Sequence, residues 1–386
     1  MLKKLVSFLD FQIQLLNRLI FIIKSCLYNY SSNGLNKCVN DFKKYIFLLD
    51  EANKISFLNK RQNVWIIYDN SVSPPTYGNI NYMLFIARYL EAKGHSIRFS
   101  IISVENKISN RNSWNILFKQ NKHNWYMQEQ LYFSRELLNT KKSFAEIKKW
   151  NEIKEEIEIS KDFILFKKSI SKRKPIYIHG LNMLNIFLSS ESEKIKNKTF
   201  VGEKYIRKKI SKFSNKFPKN YISVGVRLNP FWGNDREGNS RNSREDEILK
   251  VLNCLYKNFP NFKIIIISDV NGCEYIKKIE SLKKFKNLSF SKDFSSNYIE
   301  DFCILSGSQF HIHVRQTGIC VAAIASQIPY YLIGQLNNEI MASIKKLTSW
   351  SSSNQIYFDG HKLEENPNWE KDINKIASEI LKKEKF

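Results

Sequence analysis

Polar residues suited to holding phosphate sit directly behind apolar runs in the second half of the sequence. The run YISVGV (221–226) ends at Arg227, which opens the loop LNPFWGNDREGNSRN (228–242). KIIII (263–267) ends at Ser268 and Asp269, and FHIHV (310–314) ends at Arg315, Gln316, Thr317 and Gly318. A guanidinium grips two phosphate oxygens in parallel, which an ammonium does not. A Thr-Gly pair opening a helix offers a hydroxyl and backbone N–H groups at the positive end of the helix dipole. Asp235 and Glu237, in the loop after Arg227, are candidate bases; beside Arg236, Arg241 and Arg244 they read equally well as ion-paired surface. Strand-end Ser and Asp are also common helix caps, so the case rests on several such groups meeting on one sheet edge.

His311 and His313 alternate in one run and so share a face of it. Two such imidazoles are half of a metal site, but no Cys or acidic residue accompanies them, and a buried, sheet-lining pair is the favoured reading. The chain has no DxD triplet, no GxSxG, no P-loop and no GxGxxG. No metal and no cofactor is expected. Positive charge against a diphosphate then has to come from Arg227 and main-chain dipoles.

The elements that position these groups alternate regularly. Strands are expected at Ile222–Val226, Lys263–Ile267, Leu288–Phe290, Phe310–Val314 and Tyr330–Ile333. Helices are expected between them, around Ile248–Asn258, Glu274–Phe285, Ile299–Ser306 and Ile319–Ser326, with Ser243 as N-cap of the first. That is a parallel α/β sheet, whose ligands bind at the carboxyl ends of its strands. An earlier βαβ unit reads as strand Val64–Tyr68, loop 69–79, helix Ile80–Lys93 and strand Ile97–Ile102. Thr76, Tyr77, Gly78 and Asn79 at the loop's end are a second binding candidate. Residues 103–175 read as mostly helical, 176–179 as a strand, 182–188 as a helix and 194–219 as a basic linking helix. The tail 369–383 reads as an amphipathic helix.

At 386 residues the chain is long enough for two domains, and 43% hydrophobic residues suffice for real cores. The formal charge of +24 is compatible with nucleic acid, an anionic membrane or anionic small molecules. Its lysines are scattered through helices that also carry Glu, which favours a solvated surface over a nucleic-acid footprint. Six cysteines without CxxC or zinc spacing read as free, buried thiols. Residues 1–28 form an apolar helix with a narrow polar stripe. Asp10 and Arg18 interrupt any span, which leaves two readings: an apolar face framed by Lys3, Lys4, Arg18 and Lys24 at an anionic membrane, or packing on the chain's own domains.

Residues 221–333 resemble GT-B glycosyltransferases, and most closely the fucosyltransferase-like superfamily of bacterial chitooligosaccharide and core fucosyltransferases and protein O-fucosyltransferases. VGVRLNPFWGND puts Arg227 where that family's H-x-R-x-x-D element holds the donor diphosphate. Ser268–Asp269 match its Ser/Thr-Asp pair beside the nucleotide. Asp301 with Gln316, Thr317 and Gly318 falls on a segment that contacts donor phosphates, and the loop before Ile80 resembles the acceptor-side loop. The chain departs from the pattern at Gly225, where the family has histidine, in the inserted Leu228–Trp232, and at Gln316–Gly318, which is not the usual serine pattern.

The resemblance implies two Rossmann-like parallel-sheet domains facing a cleft. The expected organisation is a helical extension (1–59), an acceptor-side domain (60–215), a donor domain (216–350) and a helical tail (351–386). It implies metal-independent, inverting transfer of a sugar, with fucose from GDP-fucose as the finer expectation, to a glycan or glycolipid in surface-polysaccharide synthesis. Arg227 would neutralise the leaving group and Asp235 act as base. The setting expected is cytoplasmic, peripheral at the inner membrane. Heptosyl or sialyl transfer is the alternative within the fold, and a basic nucleic-acid-binding protein the alternative outside it.

Overall fold

The computed structural model describes residues 2–33, 35–56, 61–70, 77–103, 123–138, 142–165, 180–200, 214–227, 242–314, 328–333 and 368–383. The chain divides into two compact units, Met1–Phe200 with Asn338–Trp350, and Val201–Asn337 with Ser351–Phe386.

The first unit opens with two long helices, α1 (Leu2–Asn33) and α2 (Leu35–Ser56). There follow β1 (Asn63–Asp69), α3 (Tyr77–Ala92), β2 (Ser96–Ile102), α4 (His123–Leu137), β3 (Phe144–Lys148), α5 (Trp150–Ile159), β4 (Phe163–Ile164), α6 (Gly180–Leu188) and α7 (Glu193–Phe200). The four strands are parallel in the order β3-β2-β1-β4. Trp65, Ile67, Ile102 and Ile164 cover one face of the sheet and pack against Ile153 and Ile157 of α5. Arg88 of α3 is buried and donates to the carbonyls of Leu137 and Thr199, in the last turns of α4 and α7. A cation is stabilised there by the negative ends of both helix dipoles.

One face of α1 packs within its own unit: Phe21, Ile22 and Cys26 are buried, and Phe21 meets Tyr45 of α2 edge to face at 6.4 Å. Arg18 does not frame an exposed apolar surface. It is buried, and its Nη1 donates to Asn53 Oδ1 at 2.9 Å. The opposite face of α1 exposes Leu9, Ile13, Leu16, Ile20, Ile23 and Leu27, and α2 exposes Leu35, Val39, Phe42 and Ile46 at the same alternation of four- and three-residue steps. No helix among the described residues is long and apolar enough to cross a membrane.

The second unit contains β5 (Tyr221–Val226), α8 (Glu245–Asn258), β6 (Lys263–Ile267), α9 (Val270–Lys277), β7 (Leu288–Phe290), α10 (Tyr298–Ser306), β8 (Phe310–Val314), β9 (Tyr330–Ile333) and α11 (Trp369–Lys383). Its strands are parallel in the order β7-β6-β5-β8-β9, so the order reverses between β5 and β8. Ile222, Val224 and Val226 of β5 and Phe310, Ile312 and Val314 of β8 share one face. Against it pack Ile248, Val251, Leu252 and Leu255 of α8 and Trp369, Ile373, Ile376 and Ile380 of α11. Each such side chain contributes about 1.5–3 kcal/mol by leaving water. The tail helix is thus part of this core.

Sequence and structure part company in a few places. The stretch read as mostly helical contains β3 and β4. Helix α3 starts at Tyr77, so Tyr77, Gly78 and Asn79 form its first turn rather than the end of a loop. The helix expected over 274–285 is α9 followed by a separate 3-10 turn at Glu280–Leu282. The strand expected at 176–179 and the helix at 319–326 lie outside the described residues, as does 201–213 of the basic linking stretch. Cys26, Cys254, Cys273 and Cys303 are buried thiols, none of them in a disulfide. Burial pushes the thiols of Cys254 and Cys273 up to about 11.

Candidate active site

The crossover between β5 and β8 is where a doubly wound sheet opens a crevice at its carboxyl edge. Arg227 is the first residue beyond β5, and its position is locked. Its N–H donates to Ser243 Oγ at 3.0 Å, its carbonyl accepts from the Ser243 N–H, and Ser243 Oγ donates in turn to Val314 O at 2.8 Å. Ser243, fully enclosed, therefore ties the end of β5 to the end of β8. Arg227 and Ser243, sixteen positions apart in sequence, thus meet at the carboxyl end of β5.

Ser243 is not the N-cap of α8. That place belongs to Arg244, in extended conformation, whose N–H donates to the Glu247 carboxylate at 3.2 Å. The cap lies one residue later than the side-chain type suggested, which releases the Ser243 hydroxyl for the strand ends.

The side of β5 and β8 away from the α8–α11 core carries Ser223, Gly225, His311 and His313, all of them buried. Register pairs Ser223 with His311 and Gly225 with His313. A methyl on Gly225 would stand 2.8 Å from His313 Nδ1 and 3.2 Å from the His311 ring. Gly225 is the space the imidazoles occupy.

A hydrogen-bonded chain runs through them: Ser308 Oγ to Leu305 O at 2.7 Å, Ser223 Oγ to Ser308 Oγ at 2.8 Å, Ser223 Oγ with His311 Nδ1 at 2.8 Å, and His311 Nε2 with His313 Nδ1 at 3.1 Å. Its direction follows from its end. A carbonyl only accepts, so Ser308 donates to it and Ser223 donates to Ser308. Ser223 must then accept from His311 Nδ1–H, and the Nε2 of neutral His311 accepts from His313 Nδ1–H. Burial first, and His313 second, hold the His311 imidazolium well below its ordinary range, which keeps His311 neutral. The two histidines engage one another, and no group of three His, Cys, Asp or Glu side chains converges among the described residues.

On the neighbouring strand, Asp269 caps α9, accepting from the Gly272 N–H at 2.7 Å. Ser268 lies so close above that turn that a methyl on Gly272 would meet its Oγ at 2.2 Å. Asp301, in the first turn of α10, is buried; it accepts from Ser295 Oγ at 2.6 Å and pairs with Lys292. Burial raises its pKa, and Lys292 opposes that rise. Its two oxygens tie α10 to the turn after β7. The structure thus brings Arg227, Ser268 and Asp269 to the carboxyl ends of adjacent paired strands. Asp235, Gln316, Thr317, Gly318 and Thr76 lie outside the described residues, as do the side chains of Tyr77 and Asn79. Sequence reading missed Ser223 and Ser308, and took Ser243 for a helix cap. The signal for Ser223 was present: two small residues at 223 and 225 alternate in step with the two histidines.

No protein-family model and no curated protein matches the chain. Among solved structures, the E. coli ADP-heptose LPS heptosyltransferase II matches 84% of this chain and 100% of its own, at 9% identity and a TM-score of 0.51. The E. coli heptosyltransferase WaaC with ADP-2-deoxy-2-fluoro heptose matches 82% of this chain and 99% of its own, at 11% identity and a TM-score of 0.41. POFUT1 in complex with GDP matches 71% and 99%, at 9% identity and a TM-score of 0.35. The first of these likenesses carries the comparison, and at its identity it speaks for fold alone: the chain has the two-sheet α/β fold of GT-B glycosyltransferases.

Proposed function

We propose that this protein is a glycosyltransferase that moves a sugar from a nucleotide-sugar donor to a glycan or glycolipid acceptor. The observation that carries the proposal is Arg227, fixed by Ser243 at the carboxyl end of β5, where the strand order reverses. A crevice at that point with a guanidinium on its rim suits a nucleoside diphosphate, the leaving group of such a transfer. Ser268, Asp269 and Asp301, with Gln316, Thr317 and Gly318, are the further donor contacts in this reading. Thr76, Tyr77, Gly78 and Asn79 are assigned to the acceptor, and Asp235 takes the proton from its attacking hydroxyl. Fucose from GDP-fucose is the finer assignment, resting on the sequence resemblance around Arg227. Arginine and main-chain N–H groups, without a divalent ion, offset the charge building on the diphosphate.

The test is a thermal-shift panel of ADP, GDP, UDP and CMP with their sugars, followed by turnover with the stabilising donor. One nucleoside diphosphate should stabilise the second unit, by about 2.7 kcal/mol at a hundred times its dissociation constant. Arg227→Lys should abolish that shift while leaving the melting point of the free protein in place, and turnover should survive excess EDTA. No response to any nucleotide, joined to steeply salt-dependent binding of DNA or RNA, would replace this reading with the nucleic-acid one.

A further inference from the structure

We propose that the exposed face of α1 is a self-association surface, through which two copies of this chain pair antiparallel about a twofold axis. The row Leu9, Ile13, Leu16, Ile20, Ile23, Leu27 advances in steps of four, three, four, three and four residues, and each member is between 41% and 62% exposed. Such alternation keeps an apolar seam facing a second helix. The seam is narrow: Asp10, Gln12, Asn17 and Lys24 beside it are polar and exposed. It spans about 27 Å at 1.5 Å per residue. Because the other face of α1 already packs on α2 and α6, pairing need not first order the helix.

The sequence of the seam is complementary to its own reverse. Turning a second copy end for end sets Leu9 against the partner's Leu27, Ile13 against the partner's Ile23 and Leu16 against the partner's Ile20. The same rotation brings Asp10 beside the partner's Lys24, and symmetry repeats the pair. Asn17 meets its own counterpart at the axis. Across a parallel seam, Lys24 would instead meet the partner's Leu19, and the charges would go unmatched. An interfacial membrane helix wants a broad apolar sector with a cationic rim. Here the rim includes Asp10, and Arg18 is buried on the far side.

The experiment is sedimentation of the full chain over a wide concentration range. The parent should reach the dimer mass. Leu16→Asp should be monomeric throughout, with unchanged circular dichroism and melting point, since the residue is exposed in the monomer. Asp10→Lys and Lys24→Asp should each weaken dimerisation about tenfold, because two exposed pairs become two repulsions. The double reversal should restore it. A parent that stays monomeric at every concentration overturns the proposal, as does a dimer indifferent to the charge reversals. A monomer that co-sediments with phosphatidylglycerol–phosphatidylcholine vesicles, and ceases to do so as Leu16→Asp, also overturns it and gives the surface to a membrane.

Discussion

The two sheets share the order three-two-one-four for their first four strands, yet they handle buried polarity in opposite ways. In the first, the charged groups on the α5 face stay near solvent, and the buried Trp65 N–H and Ser100 hydroxyl are satisfied through them. Arg98 lies 4.0 Å over the Trp65 ring and pairs with Glu146 at 2.7 Å and with Glu156, which also takes Lys148. Trp65 Nε1 donates to Ser100 Oγ, and Ser100 Oγ donates to the same Glu146 carboxylate. In the second, the polar groups are hydroxyls and imidazoles, fully enclosed and threaded between the strands at the crossover, with His311 held neutral. Ions would cost several kcal/mol each at such a depth, whereas hydroxyls and the neutral His311 ring are satisfied by their hydrogen-bonded neighbours. Polarity at a rim tolerates water and salt. At a centre it demands a fixed tautomer and fixed space.

The largest effect should come from filling that space. Gly225→Val is expected to destabilise the protein by about 3 kcal/mol, the upper range for overpacking, because ring atoms anchored in a buried strand have little room to retreat. Urea unfolding measures this, and a near-neutral result would mean the imidazoles are not held as described. Next comes acid. The folded state keeps His311 well below its ordinary 6.5, so its stabilisation is complete above about pH 6.5 and is lost as pH falls from there toward the depressed folded value. At about 1.4 kcal/mol per pH unit, the loss between pH 6.5 and 5 is at most about 2 kcal/mol. His311→Gln should flatten that part of the stability profile. An unchanged slope would assign the acid sensitivity elsewhere.

Arg98→Met in the first sheet should cost about 1 kcal/mol, because its partners remain partly solvated, and the cost should shrink in high salt. A salt-independent loss several times larger would erase the contrast between the sheets. The smallest change should be Gly272→Ala, within about 0.5 kcal/mol. Its only close neighbour below 3 Å is a serine hydroxyl that can rotate away, and alanine favours the helix. A loss as large as at Gly225 would show that Ser268 is as rigid as the histidines.

The second sheet was legible because its strands are short, continuous β-branched runs buried on both faces; Tyr221–Val226, Lys263–Ile267 and Phe310–Val314 appear where the pattern put them. The edge strand Phe144–Lys148 was not, since FAEIK mixes charge with apolar residues as a helix surface would, and Phe163–Ile164 is too short to carry a period. Arg227 could be read as a strand-end residue. What fixes it could not: the Ser243 hydroxyl bridges strands far apart in sequence, and a serine just before a helix announces a cap. The meaning of Gly225 was likewise hidden until the register placed His313 opposite it.

Helix α11 has a consequence for how this protein is made. The apolar face of the second sheet is covered in part by Trp369, Ile373, Ile376 and Ile380, which leave the ribosome long after β5. During synthesis Ile222, Val224 and Ile312 are already exposed, and nothing yet emerged can finish covering them. The nascent chain therefore carries an open hydrophobic sheet face until α11 appears, a natural station for chaperones and the point at which translation arrested early leaves an aggregation-prone product.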